Sequence, residues 1–122
     1  METARKKVGN DGEYFAQNFL RRKKWKILDT NVKLPWNDEI DIIARDTNGV
    51  LVFIEVKTVS GSYLNAEEQM TSTKIKKCMR AAAWYANHFS KLVNEKAGWR
   101  IDCVALKKMG ETYSVNHYEQ IV

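Results

Sequence analysis

Little in this sequence breaks or cross-links a chain. Among 122 residues there are one proline, six glycines, two cysteines and two histidines. Cys78 and Cys103 sit in apolar surroundings without the close spacing of a metal knuckle, so two reduced core thiols are expected, not a disulfide. His88 and His117 stand alone, and neither is assigned to a metal. No apolar run is long enough to cross a bilayer. Met1–Lys7 holds no apolar segment of signal-peptide type, so a cytoplasmic location without membrane contact is expected. There is no phosphate-binding loop of nucleotide-binding type, no internal repeat and no low-complexity tract. Acids are also outnumbered: 15 Asp and Glu face 20 Lys and Arg, for a formal charge of +5. That balance favours a polyanionic partner.

What is present centres on Asn37–Lys57. Ile40-Asp41-Ile42-Ile43 closes one strand, Thr47-Asn48-Gly49 has turn chemistry, and Val50-Leu51-Val52-Phe53-Ile54 is a buried-type strand. The second strand ends in Glu55-Val56-Lys57. Alternation puts Glu55 and Lys57 on one face with Phe53 behind them, and Glu39 and Asp41 on one face of their own strand. Paired as a hairpin, the two strands bring up to three acids and a lysine to one place.

Around this centre the remaining elements follow in order. Residues 1–8 read as a loose basic tail, and 9–122 as a single domain. Gly9-Asn10-Asp11-Gly12 reads as a capping loop before a helix from Asp11 to Lys23, with Phe15, Ala16, Phe19 and Leu20 as its apolar positions. Glu13 suits the positive end of that helix, which is its plain role. Trp25–Leu34 reads as a strand with Trp25, Ile27 and Asp29 on one face. Trp36, beside the only proline, is expected to pack on a neighbour in preference to stacking on a base. Ser60–Tyr63 reads as a loop, Asn65–Glu68 as a short helical turn, and Thr71-Ser72-Thr73 as the cap of a long helix to Glu95. Its expected buried stripe is Ile75, Cys78, Met79, Ala82, Ala86, Phe89 and Val93. Trp99–Leu106 and Tyr113–Val122 complete the strands, the last at an edge. Asp102 is expected to pair with Arg100 or to cap a helix.

Two basic clusters stand out. Arg21–Lys26 reads equally well as a solvated helix end or as part of an anion-binding face. Lys74, Lys76, Lys77 and Arg80 lie in the first turns of the long helix, where cations oppose the helix dipole. A passing phosphate backbone explains them better than solvation does, because a helix N-terminus already attracts anions.

Phosphodiester hydrolysis needs a nucleophilic water and neutralisation of the phosphoryl oxygens. Mg²⁺ supplies both from a few carboxylates, and a neighbouring lysine can serve the water. Asp41 with Glu55-x-Lys57 is such a set, although a structural ion pair is the simpler account of Glu55 and Lys57.

The order of elements, with Asp41 and Glu55-x-Lys57, resembles the PD-(D/E)XK nuclease superfamily, and more closely the YraN-like family, whose fold is that of Holliday-junction resolvases and restriction endonucleases. The matching residues are Gly9-x-x-Gly12-Glu13-x-x-Ala16, Asn31, Glu39-Ile40-Asp41-Ile42-Ile43-Ala44, Val52-Phe53-Ile54-Glu55-Val56-Lys57-Thr58, Lys74, and Arg100-Ile101-Asp102-x-Val104. The resemblance implies that Asp41 and Glu55 hold Mg²⁺ or Mn²⁺, with the Val56 carbonyl as a further ligand, and that Lys57 acts on the water. Glu13 matches an extra acid on the first helix, and Glu39 a supporting or alternate acid. Ile40 replaces the superfamily's proline, Asp38 a usual glycine and Val59 a usual arginine, while the acids and lysine are intact.

The expected fold is therefore α/β, a mixed central sheet flanked by helices with an αβββαβ core. The expected function is a metal-dependent nuclease on DNA, selective for substrate structure. A non-cutting nucleic-acid-binding module of the same fold is the alternative, and a protein-interaction scaffold with a structural acid cluster is a third reading. Analogy to resolvases admits a homodimer.

Overall fold

The computed structural model describes residues 4–59 and 64–122, with side chains described for 11–59 and 66–122. The expected loop Ser60–Tyr63 lies outside the described residues. The elements are α1 (Ala4–Arg22), β1 (Lys26–Lys33), β2 (Glu39–Arg45), β3 (Leu51–Val59), α2 (Leu64–Gln69), α3 (Ser72–His88), a 3₁₀ turn (Ser90–Leu92), β4 (Trp99–Met109) and β5 (Thr112–Tyr118). The strands form one five-stranded sheet in the order β1-β2-β3-β4-β5. Among the described strands, only the β3–β4 pairing is parallel. The chain between β3 and β4 carries α2 and α3, as a parallel crossover requires. This is the mixed α/β sheet flanked by helices that was expected, consistent with a restriction-endonuclease-like fold.

β3 is central and covered on both faces, which explains its near-continuous apolar run. Val52 and Ile54 join Ala16, Leu20, Val104 and Leu106 in a core under α1. Leu51 and Phe53 join Ala81, Ala82, Tyr85 and Ile101 in a second core under α3. The β2–β3 turn forms as read: Gly49 takes φ +85°, and the Asp46 carboxylate accepts the Asn48 and Val50 amides at 2.9 Å each.

Four expectations need correction. α1 starts at Ala4, so the stretch read as a loop at Gly9–Gly12, and part of the presumed tail, is helical. Gly12 serves contact and not a turn. A Cβ there would lie 3.2 Å from Thr58 Oγ1 and 3.4 Å from Leu106 Cδ1, so its missing side chain lets α1 lie close on β3 and β4. α3 ends at His88, because Phe89 leaves helical geometry with φ −115° and ψ 51°. The stripe on α3 is rotated from the expected one: Ala81, Ala82, Tyr85 and Ala86 are buried, whereas Met79 and Phe89 are 41% and 43% exposed. The alanines allow the close approach, and Tyr85 stands edge-on to Phe53 at 5.6 Å. In β1 the register shifts between Ile27 and Asp29. Ile27 packs under α1, but Asp29 stands opposite Ile43, which belongs to the α3-side core.

Candidate functional site

The β2–β3 ladder stops one residue short of the acids. Its rungs run from Arg45–Leu51 to Ile42–Ile54. Beyond that point β2 leaves β3, and the Asp41 carboxylate takes over, accepting the Val56 amide proton on Oδ2 at 2.8 Å. A strand residue turns its N–H and C=O to the same edge, so the Val56 carbonyl also faces the gap.

Two more acids reach this gap. Glu13 comes from α1, set close to the sheet by Gly12, and Glu39 from the start of β2. One carboxylate oxygen from each of Glu13, Glu39 and Asp41 lies within 4.8 Å of the others. Asn31 of β1 stands between two of them. With its amide group turned toward the acids, Asn31 Nδ2 donates to Glu39 Oε1 and to Glu13 Oε2, each at 2.8 Å. Packing these charges together has a cost. Burial first, then Glu55, Glu13 and Glu39 push the Asp41 carboxyl up to about 7, against the lowering effect of the Val56 amide. Burial and Glu39 raise Glu13 too, and the Asn31 hydrogen bond opposes them.

Glu55 lies beside this cluster but is engaged differently. Its carboxylate pairs with Lys74 of α3 at 3.0 Å and with Lys57 at 3.7 Å, and its side chain is only 12% exposed. Burial works against the Lys74 ammonium, but the Glu55 charge and hydrogen bond outweigh it, and the Lys74 pKa is raised. The pairing explains a lysine in the first turn of α3, where Thr71 caps the helix by accepting the Lys74 amide proton. An open cleft of about 650 Å³ joins both groups; Glu13, Lys33, Glu39, Asp41, Glu55 and Lys74 are on its wall. Cys78, near Glu55, is pushed up to about 11 by burial and then by Glu55, so it is a thiol at neutral pH and no nucleophile.

The structure thus brings Glu13, Glu39, Asp41, Glu55, Lys57 and Val56 to one end of β2 and β3. It divides the basic cluster of α3. Lys74 and Lys77 border the slot beside Glu55, Lys76 is exposed, and the Arg80 guanidinium sits 4.3 Å above the Trp36 ring. Trp36 packs on a neighbour as expected, edge-on to Trp84 at 6.0 Å, with its Nε1–H donated to Asp38. Among the described residues, Lys33 and the role of Asn31 were missed. A polar Asn beside Val32 in a strand was the available signal for Asn31; nothing local marks Lys33.

The donor set suits a hard divalent cation. Its three carboxylates offer oxygen ligands close together, and burial, then repulsion from the neighbouring acids, raises the Asp41 carboxyl, a cost that a bound cation would relieve.

A second polar network was read only in part, at Arg100 and Asp102. The expected Arg100–Asp102 pair forms, with Nε to Oδ1 at 3.0 Å. Asp102 is fully buried and also accepts from the Gln120 amide, while His117 Nε2 meets its Oδ2 at 2.8 Å. His117 Nδ1 meets Lys23 Nζ at 2.8 Å, so with Lys23 as the donor the imidazole carries its proton on Nε2. Lys23 thereby ties the end of α1 to β5, which is a structural use for one member of the Arg21–Lys26 cluster.

A family model described as "Uncharacterised protein family UPF0102" matches residues 12–106. A "UPF0102 protein" of Syntrophotalea carbinolica is 34% identical over 119 residues, covering 97% of this chain and 93% of the relative. One of Clostridium novyi is 36% identical over 115 residues, covering 93% of each. One of Corynebacterium efficiens is 30% identical over 125 residues, covering 99% of this chain and 96% of the relative. These names carry no activity.

Proposed function

The chain belongs to the UPF0102 (YraN-like) family of the PD-(D/E)XK nuclease-like superfamily, and from that premise we propose that it is a metal-dependent nuclease hydrolysing DNA phosphodiester bonds. The observation that carries the reading is the meeting of Glu13, Glu39 and Asp41 beside Glu55 and Lys57 at the open end of the β2–β3 ladder. Asp41 and Glu55, with Glu13, Glu39 and the Val56 carbonyl as further oxygen donors, would hold Mg²⁺ or Mn²⁺. Bound there, the cation supplies charge neutralisation at the phosphoryl oxygens and a more acidic water. Lys57 positions the attacking water and adds positive charge where negative charge develops. Lys74 on the cleft wall, and Lys77 at the slot beside Glu55, meet the phosphate backbone. Cleavage of branched, linear and single-stranded DNA and of RNA, with Mg²⁺ or Mn²⁺, tests this. Cutting of branched DNA by wild type and not by Asp41→Ala is the expected result. Wild type that cuts none of the panel removes the nuclease reading.

One observation favours a second reading, a nucleic-acid-binding module that does not cut. Glu55 Oε1 is shared by two lysines, as in a structural ion-pair network. Retained DNA binding without turnover in any metal separates this reading from the first.

A further inference from the structure

Asn31 lies within β1 yet adopts a left-handed backbone, with φ +51°. The β1–β2 register passes from Thr30–Ile42 to Val32–Ile40 with no rung between Asn31 and Asp41. Such a conformation inside a strand is costly for a residue with a Cβ, and asparagine tolerates it better than most. The backbone distortion has a counterpart in the side chain. It aims both amide hydrogens at acids from two different elements, Glu13 of α1 and Glu39 of β2, at 2.8 Å each. Two carboxylates this close repel, and one neutral amide that donates to both is the simplest group that holds them together without occupying their remaining oxygens.

We infer that Asn31 is a positioning residue that holds Glu13 and Glu39 together as one donor set with Asp41. This rests on the metal-site reading above, to which it adds a residue that ligates nothing itself. Partners that orient metal-binding side chains in this way contribute about 10–100-fold to metal affinity.

The test uses the full chain and two substitutions that both accept a left-handed backbone. Asn31→Gly keeps the conformation and removes the amide. Asn31→Asp keeps the shape, removes both donors and adds a third charge beside Glu13 and Glu39. In calorimetric titration with Mn²⁺ alone, Asn31→Gly should bind about 10–100-fold more weakly than wild type. In EDTA at about pH 8 its melting temperature should stay near the wild-type value, whereas that of Asn31→Asp should fall, because only a side chain facing carboxylates is sensitive to the added charge. A role confined to the backbone predicts wild-type Mn²⁺ affinity for Asn31→Gly and wild-type melting for Asn31→Asp, and either result overturns the inference. Wild type that binds no Mn²⁺ removes the metal-site reading instead. The EDTA melt of Asn31→Asp then decides alone whether the amide holds the acids.

Discussion

Asp41 Oδ2 accepts the amide proton of Val56 at 2.8 Å, a place in the ladder where a backbone carbonyl of β2 would otherwise stand. A side chain thus completes the sheet at the point where the sheet opens into the cleft. The same carboxylate is a ladder acceptor and a near neighbour of three other acids, and in the proposed function it is also a metal ligand.

That conflict makes stability depend on pH. The Asp41 carboxyl titrates near 3.8 when solvent-exposed and at about 7 in the fold. Between those values the native state holds the proton and the unfolded chain does not. Asp41's contribution to the stability of the metal-free protein therefore falls as pH rises from about 4 to about 7, then levels off. Asp41→Asn should flatten this slope. Urea melts in EDTA at about pH 8 should find it more stable than wild type by on the order of 1–3 kcal/mol. An unchanged slope would place the burden on Glu13 instead.

Lys57 can be removed without stranding its partner. Lys74 is the closer cation to Glu55, at 3.0 Å against 3.7 Å. Lys57→Ala should melt within a few degrees of wild type while cleavage drops by about 10²–10⁴-fold, the usual worth of a positioned acid–base or electrostatic group. A clear loss of stability with unchanged turnover would make Lys57 a structural residue.

Lys74 and Lys77 separate by their partners. Each lost phosphate contact should reduce the slope of log affinity against log salt by about 0.9. Lys77→Ala should do so cleanly in DNA-binding titrations. Lys74→Ala should do so as well and also lower the melting temperature, since Glu55 loses its nearest cation. Unaltered slopes in both variants would return this face of α3 to solvent.

Asp102 tests the second network. Burial alone would raise its carboxyl, but His117, Arg100 and the Gln120 amide together hold it below 3.8. Its contribution is complete above about pH 4 and is lost as pH falls through the lowered value. Asp102→Ala strands Arg100 and His117 and should cost about 3–5 kcal/mol in chemical denaturation. A cost below about 1 kcal/mol, the scale of a surface pair, would show that Asp46, 2.9 Å from Arg100, compensates.

The parts that were legible in the sequence are those written in local periodicity. β3 showed as a β-branched run, its turn as Asn48-Gly49, and the cap of α3 as Thr71, because each signal lies within a few residues. Glu55 and Lys57 were legible together because alternation puts them on one face, whereas Glu13, on a helix, came with the family resemblance. The α3 stripe was not. Consecutive alanines leave a helix free to rotate, and Tyr85 meeting Phe53 decides it from 32 positions away in sequence. The same holds for Lys23 and His117, and for Asn31, whose two acids lie on other elements. Gly12 was noticed, but as a loop residue; its use in a helix shows only once β3 lies beneath it.

The irregular course of β1 has a consequence for how the protein meets copies of itself. β1 and β5 are the edges of the sheet. A flat edge offers an uninterrupted row of amides and carbonyls on which another chain can add a strand. β1 offers no such row: its register slips after Ile27, its backbone turns left-handed at Asn31, and lysines stand at both ends. The left-handed turn at Asn31 thereby interrupts this edge as a template on which another strand could add.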